Sequence, residues 1–144
     1  MIKQLAHICF TVSDLSASTA FYCDKLGFEH AFDFTTPEGR LYGVYLKAGP
    51  RLFIELFEGT PAPPPEAPSY KHCCLEVDDI RATVNDLRHR GAEVSDPKLG
   101  KDNSWQAWTA DPDGNRIELH EYTAESRQTP WLDETRPPAS RAQP

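Results

Sequence analysis

His7-Ile8-Cys9-Phe10-Thr11-Val12-Ser13-Asp14-Leu15 is written a second time, with substitutions, as His72-Cys73-Cys74-Leu75-Glu76-Val77-Asp78-Asp79-Ile80. Positions 7 and 72 are 65 residues apart, and a second echo keeps nearly the same spacing. Phe53-Ile54-Glu55-Leu56 returns as Arg116-Ile117-Glu118-Leu119, with the glutamates 63 residues apart. Each copy opens as a strand on a histidine, runs into a helix, and later brings a glutamate on another strand. Self-similarity at a fixed offset reads as two copies of one structural unit. His7, Glu55, His72 and Glu118 therefore form a symmetric set of imidazole and carboxylate ligands suited to a divalent cation.

Working outward, residues 5–12 alternate, with His7, Cys9 and Thr11 on one face and Ile8, Phe10 and Val12 on the other. Ser13 or Asp14 can cap a helix that places Leu15, Thr19, Tyr22 and Leu26 on one side and stops at Gly27. Strands are expected near 28–35, 40–48 and 50–58. The second copy predicts a strand over 70–77, a helix over 79–90 stopping at Gly91, and strands near 92–95, 104–110 and 115–122. Asp111-Pro112-Asp113-Gly114 is a tight turn joining the last two strands. The fold class is α+β: two tandem βαβββ modules, 1–58 and 70–122. Between them, 59–69 is a stiff linker with five prolines. Beyond Tyr122, residues 123–144 read as an irregular tail, ordered only where Trp131 finds a pocket on the body or on a partner subunit.

Strand parity then places the ligands. If Ile54, Leu56, Ile117 and Leu119 pack under the helices, all four ligands lie on the opposite, concave side. A strand-centre carboxylate among apolar neighbours is costly by about a few kcal/mol unless compensated, and a cation compensates both glutamates. Phe53, Phe57, Arg116 and His120 share that side, with either Trp105 or Trp108, Trp105 being the one assigned to the cavity. These are the substrate-binding candidates: an arginine beside a metal suits an anionic or carbonyl-bearing ligand, and aromatics suit a ring face.

The bulk properties exclude other classes. A formal charge of −7 over 144 residues, with no basic stripe, argues against nucleic acid and anionic lipid as partners. No apolar run is long enough to span a bilayer. Cys9, Cys23, Cys73 and Cys74 lack a C-x-x-C spacing and read as reduced, mostly buried thiols of a cytoplasmic protein.

These motifs, with the ending Asp111-Pro112-Asp113-Gly114-Asn115-Arg116-Ile117-Glu118-Leu119, resemble the vicinal oxygen chelate superfamily over residues 3–122. That group contains glyoxalase I, methylmalonyl-CoA epimerase, extradiol dioxygenases, fosfomycin resistance enzymes and bleomycin-binding proteins. The metal positions are most similar to glyoxalase I. The resemblance implies a lyase or isomerase using Zn, Ni, Co or Mn on a small molecule with vicinal oxygens. It implies proton transfer next to a carbonyl through an enediolate, with Glu118 as base and Glu55 as its symmetric alternative. Where glyoxalase I carries an Arg and an Asn that hold glutathione, this chain has Thr11 and Gly59, so a glutathione adduct is not the expected substrate. Two alternatives follow from the same resemblance. One is a ring-cleaving dioxygenase with Fe(II) on His7, His72 and Glu118, assisted by His120 and Tyr122. The other is a small-molecule or antibiotic binding protein. In that family the two modules that share a metal come either from one chain or from two exchanged chains, and a homodimer is expected.

Overall fold

The computed structural model describes residues 3–62 and 69–132. The alternating stretch opening at His7 forms β1 (His7–Val12), with Phe10 and Val12 buried and His7, Cys9 and Thr11 outward. Asp14 caps the following helix by accepting from the Ala17 amide at 2.8 Å, and Asp79 repeats this in the second module on Ala82 at 2.9 Å. The helices are α1 (Leu15–Ala20) and α2 (Ile80–His89). The remaining strands are β2 (Glu29–Thr35), β3 (Leu41–Lys47), β4 (Phe53–Glu58), β5 (Cys73–Glu76), β6 (Lys98–Leu99), β7 (Trp105–Ala110) and β8 (Arg116–Glu121). Two four-stranded sheets result, ordered β1-β4-β3-β2 and β5-β8-β7-β6. In each, the opening strand pairs in parallel with the last strand of its module. The expected pair of βαβββ modules is therefore the architecture found.

The two modules share apolar packing. Phe10, Val12, Tyr22, Val44, Leu46, Ile54 and Leu56 of the first cluster with Cys73 and Ile117 of the second. Leu26 of the first module in turn packs against the Ile80, Val84, Leu87 and Leu119 cluster. Burial of these side chains is the main stabilising term, at about 1.5–3 kcal/mol for each fully buried large one. Polar clamps fix the registry. The Tyr22 hydroxyl donates to Asp111 Oδ2 at 3.0 Å, and the Ser13 amide donates to the Asp113 carboxylate at 3.1 Å. The Asp111–Gly114 turn, with Gly114 at φ 82°, thus joins the modules besides turning the chain.

Three local expectations are corrected. The first helix does not run regularly to Gly27: Phe21–Lys25 widens into a π turn, in which the Leu26 amide reaches the Phe21 carbonyl at 3.2 Å. That widening lets the adjacent residues Phe21 and Tyr22 both turn into the core. The strand expected at 92–95 forms instead at Lys98–Leu99. Along 93–95 a single backbone bond, from the Ser95 amide to the Trp108 carbonyl, is supplemented by side-chain bonds: Thr109 Oγ1 donates to the Glu93 carbonyl and the Trp108 amide to Ser95 Oγ. Nor is the tail held by Trp131 in a pocket of its own chain, since that residue is 65% exposed. Residues 123–132 dock through polar contacts on the 100–104 loop. The Arg127 amide donates to the Asp102 carbonyl, Gln128 Nε2 to Asp102 Oδ2 at 2.6 Å, and Ser104 Oγ to Ser126 Oγ at 2.8 Å. The rest of the expected tail, 133–144, and linker residues 63–68 lie outside the described residues. Among the described residues, no helix is long and apolar enough to cross a membrane.

Candidate metal centre

Each sheet turns one face to the helices and leaves the other open, and the open faces carry the repeated ligands. In the first module, β1 and β4 bring His7 Nε2 to 3.4 Å from Glu55 Oε2. In the second, His72, just before β5, lies with Nε2 2.9 Å from Glu118 Oε2 on β8. Two donors bound to one ion at about 2.0–2.2 Å each stand roughly 3 Å apart, so each pair is spaced as two ligands of a common cation. The donor set, two imidazoles and two carboxylates, fits a borderline or hard divalent ion.

The cross-strand register supplies the surroundings. Glu55 is flanked by Cys9 on β1 and Tyr45 on β3, and Glu118 by Cys74 on β5 and Trp108 on β7. Tyr45 holds its hydroxyl 3.3 Å from His7 Nδ1, which orients the ring so that Nε2 faces Glu55. Trp108 packs edge to face on His72 at 4.9 Å, and the Arg116 guanidinium lies over the same indole at 4.4 Å. Tyr45 is not among the residues the sequence singles out; its place as the ladder partner of Glu55 is the signal that points to it.

The tryptophan assignment is corrected. Trp105 pairs with Glu121 and packs against the cluster of Ile80 and Leu119 on the helical side, with Arg81 over its ring at 5.1 Å. Trp108, three residues on and of opposite parity, is the one beside Glu118. His120 is on the open face but is not an exposed contact residue. It is 6% exposed, with Nδ1 3.3 Å from Glu118 Oε1 and Nε2 3.8 Å from Asp102 Oδ2. Phe53 and Phe57 belong to a continuous wall of rings with Phe32, Phe34, Tyr42 and Tyr45. A Cβ at Gly43 would run into the Phe57 ring, so the wall needs glycine there.

All four cysteines are free, but the expectation that most are buried is wrong: Cys9 and Cys74 are exposed on the ligand-bearing face. Desolvation, then the neighbouring glutamate, raises both thiols above their ordinary value, Cys74 to about 12. Gln128, donating to Asp102, holds that carboxyl below its usual range.

The His7–Glu55 and His72–Glu118 pairs do not meet within one chain. Among the described residues, the one group of three or more metal-ligating side chains with ligand atoms within 4.8 Å of one another is Cys74, Glu118 and His120. Each module thus presents half of the four-residue set.

Paired βαβββ sheets with His and Glu on their open faces define a class of two-module, metal-chelating folds. The chain belongs to the Glyoxalase/Bleomycin resistance protein/Dioxygenase superfamily, whose family model matches residues 4–119. It is 32% identical over 130 residues to "Uncharacterized protein YwkD" of Bacillus subtilis, covering 84% of this chain and 98% of that one. It is 33% identical to the "Probable lactoylglutathione lyase" of Synechocystis, covering 80% and 92%. The solved glyoxalase family protein from Enterococcus faecalis superposes with a TM-score of 0.71 at 29% identity, covering 83% of this chain and 98% of that one.

Proposed function

We propose that the protein is a divalent-metal-dependent lyase or isomerase of the glyoxalase type, acting in the cytoplasm on a small molecule with vicinal oxygens. In this reading it works as a homodimer, with His7 and Glu55 of one subunit facing His72 and Glu118 of the other. The observation that carries it is the repeated His–Glu pair, spaced in each module as two ligands of one ion. The separation of the pairs within one chain favours completion by a second copy. When bound, the cation, Zn, Ni, Co or Mn, supplies Lewis-acid stabilisation of negative charge on a carbonyl oxygen.

The chain's own groups divide the remaining work. Glu118, buried and touched by both His72 and His120, is the base that removes the proton next to the carbonyl, with Glu55 as its counterpart. His7, oriented by Tyr45, and His72, braced by Trp108, hold the ligand geometry. Phe53, Phe57 and the adjoining rings shape an apolar wall for the rest of the substrate, and Arg116 supplies a cation at its edge.

A glutathione adduct does not suit this face. A Cβ at Gly59 would come within 2.8 Å of Thr11 Cγ2, so the two positions that would clamp glutathione are packed against each other and carry no charge. Two other readings keep one observation each. The ring contact of His120 with Tyr122 at 4.7 Å beside Glu118 is compatible with an Fe(II) ring-cleaving dioxygenase. The aromatic wall is compatible with an antibiotic-binding protein.

The deciding experiment reconstitutes the chelator-stripped protein with each metal and screens α-hydroxycarbonyl compounds for isomerisation or solvent-proton exchange. Exchange that Glu118→Gln abolishes supports the reading. Turnover of catechols with iron alone, or ligand binding without turnover by any metal form, overturns it.

A further inference from the structure

The two modules are not equivalent around their glutamates, and the difference creates a donor set that the four-residue site does not use. Two residues beyond Glu55 the chain has Phe57, whereas two residues beyond Glu118 it has His120. Both modules keep a thiol opposite the glutamate, Cys9 with Glu55 and Cys74 with Glu118. Among the described residues, only in the second do thiol, carboxylate and imidazole converge, with ligand atoms within 4.8 Å of one another.

We propose that Cys74, Glu118 and His120 form a second cation site, contained within the C-terminal module and selective for a thiophilic divalent ion such as Zn or Cd. Sulfur, nitrogen and oxygen donors in one cluster are the chemistry that selects such ions over Mg or Ca. His120 carries an independent mark. It is more than nine-tenths buried, yet its Nε2 has no hydrogen-bond partner, the Asp102 carboxylate standing off at 3.8 Å. Its Nδ1 faces Glu118 Oε1. Ligation would use Nδ1, the nitrogen that faces Glu118, and leaves Nε2 directed at the Asp102 carboxylate, the side from which a metal-bound histidine is usually braced. Asp102 is itself fixed by Gln128 at 2.6 Å.

The glutamate can serve both sites because its oxygens point apart, Oε2 to His72 and Oε1 to His120. An ion has a route in: a cleft of about 660 Å³, lined in part by Cys74, Glu76, His120 and Tyr122, opens beside the cluster. As the sulfur–metal bond forms, the Cys74 thiol gives up its proton to water. The site needs neither His7 nor Glu55 but shares Glu118 with the centre proposed above, and the two are told apart because only this site carries a thiolate ligand.

The test is a titration of chelator-stripped, fully reduced protein with Co²⁺, read as thiolate-to-cobalt charge transfer in the near ultraviolet. The wild type is expected to develop this band to saturation at one thiolate site per chain. Cys74→Ser should abolish it, His120→Gln should weaken Co²⁺ binding at least about tenfold, and Cys9→Ser and His7→Ala should retain it. Circular dichroism checks that each variant is folded. Three results overturn the proposal: no thiolate band in the wild type at saturating Co²⁺, a band that survives Cys74→Ser, or one lost with Cys9→Ser instead.

Discussion

Glu55 and Glu118 occupy the same place in two copies of one ladder, each with a cysteine on its parallel neighbour and an aromatic ring on its antiparallel neighbour. The rows Cys9–Glu55–Tyr45 and Cys74–Glu118–Trp108 are therefore two versions of one half-site. They differ in what braces the histidine: a tyrosine hydroxyl on His7, a tryptophan ring on His72.

That difference is measurable. Tyr45→Phe should leave the fold intact and weaken the metal binding proposed for His7 and Glu55 by about tenfold, because the outer partner of a metal-bound histidine fixes its orientation. Competition with a chromophoric chelator measures this, and unchanged affinity would show that Tyr45 does not position His7.

Glu118→Gln keeps the size of the side chain and removes the carboxylate proposed as the base. Turnover should fall by orders of magnitude while the thermal transition is largely preserved. His72→Ala should behave differently, losing both the ion and the stabilisation that binding confers, so that its melting temperature falls only relative to the metal-loaded wild type. Calorimetry with and without added metal separates the two.

How much of this is legible in the amino-acid order follows from what each signal depends on. The strands at His7, Phe53 and Arg116 and the helix at Ile80 are set by local alternation and by Asp caps, so their approximate places can be read directly. The burial of Ile54, Leu56, Ile117 and Leu119 follows from the same parity. The π turn at Phe21–Lys25 depends on two adjacent aromatics both finding core, which is a tertiary fact. Choosing between Trp105 and Trp108 needs the β7–β8 register, which places Trp108 opposite Glu118. The exposure of Cys9 and Cys74 was predictable, since both have the parity of the outward histidines. Composition alone pointed the other way. The docking of 123–132 on the 100–104 loop rests on side-chain hydrogen bonds that no periodicity encodes.

The clamp between modules gives a pH prediction with a definite sign. Burial first, then the Asp111 carboxylate, pushes the Tyr22 phenol well above its ordinary value of 10.0. A folded-state value above the unfolded one means that the contribution is full below about pH 10 and declines as pH rises beyond it. The melting temperature should therefore fall above that pH. Tyr22→Phe should cost about 2 kcal/mol at neutral pH, chiefly the hydrogen bond to a charged acceptor, and should flatten the alkaline decline. A Tyr22→Phe profile parallel to the wild type would locate the decline elsewhere.

Packing of Thr11 against Gly59 makes a negative prediction. The metal-loaded protein should not turn over the hemithioacetal of methylglyoxal and glutathione at a rate above background, followed as thioester formation. Efficient turnover would mean that glutathione is held elsewhere on the chain.

The separation of the two His–Glu pairs in one chain leads to the most direct test of the four-residue centre. His7→Ala and His72→Ala chains, carrying different tags, are co-expressed and the mixed dimer is isolated. If the centre is shared between subunits, the mixed dimer contains one intact set, and it should hold one more tight ion than either homodimeric variant, by elemental analysis and chelator competition. A mixed dimer that binds no more metal than its parents would contradict the shared centre.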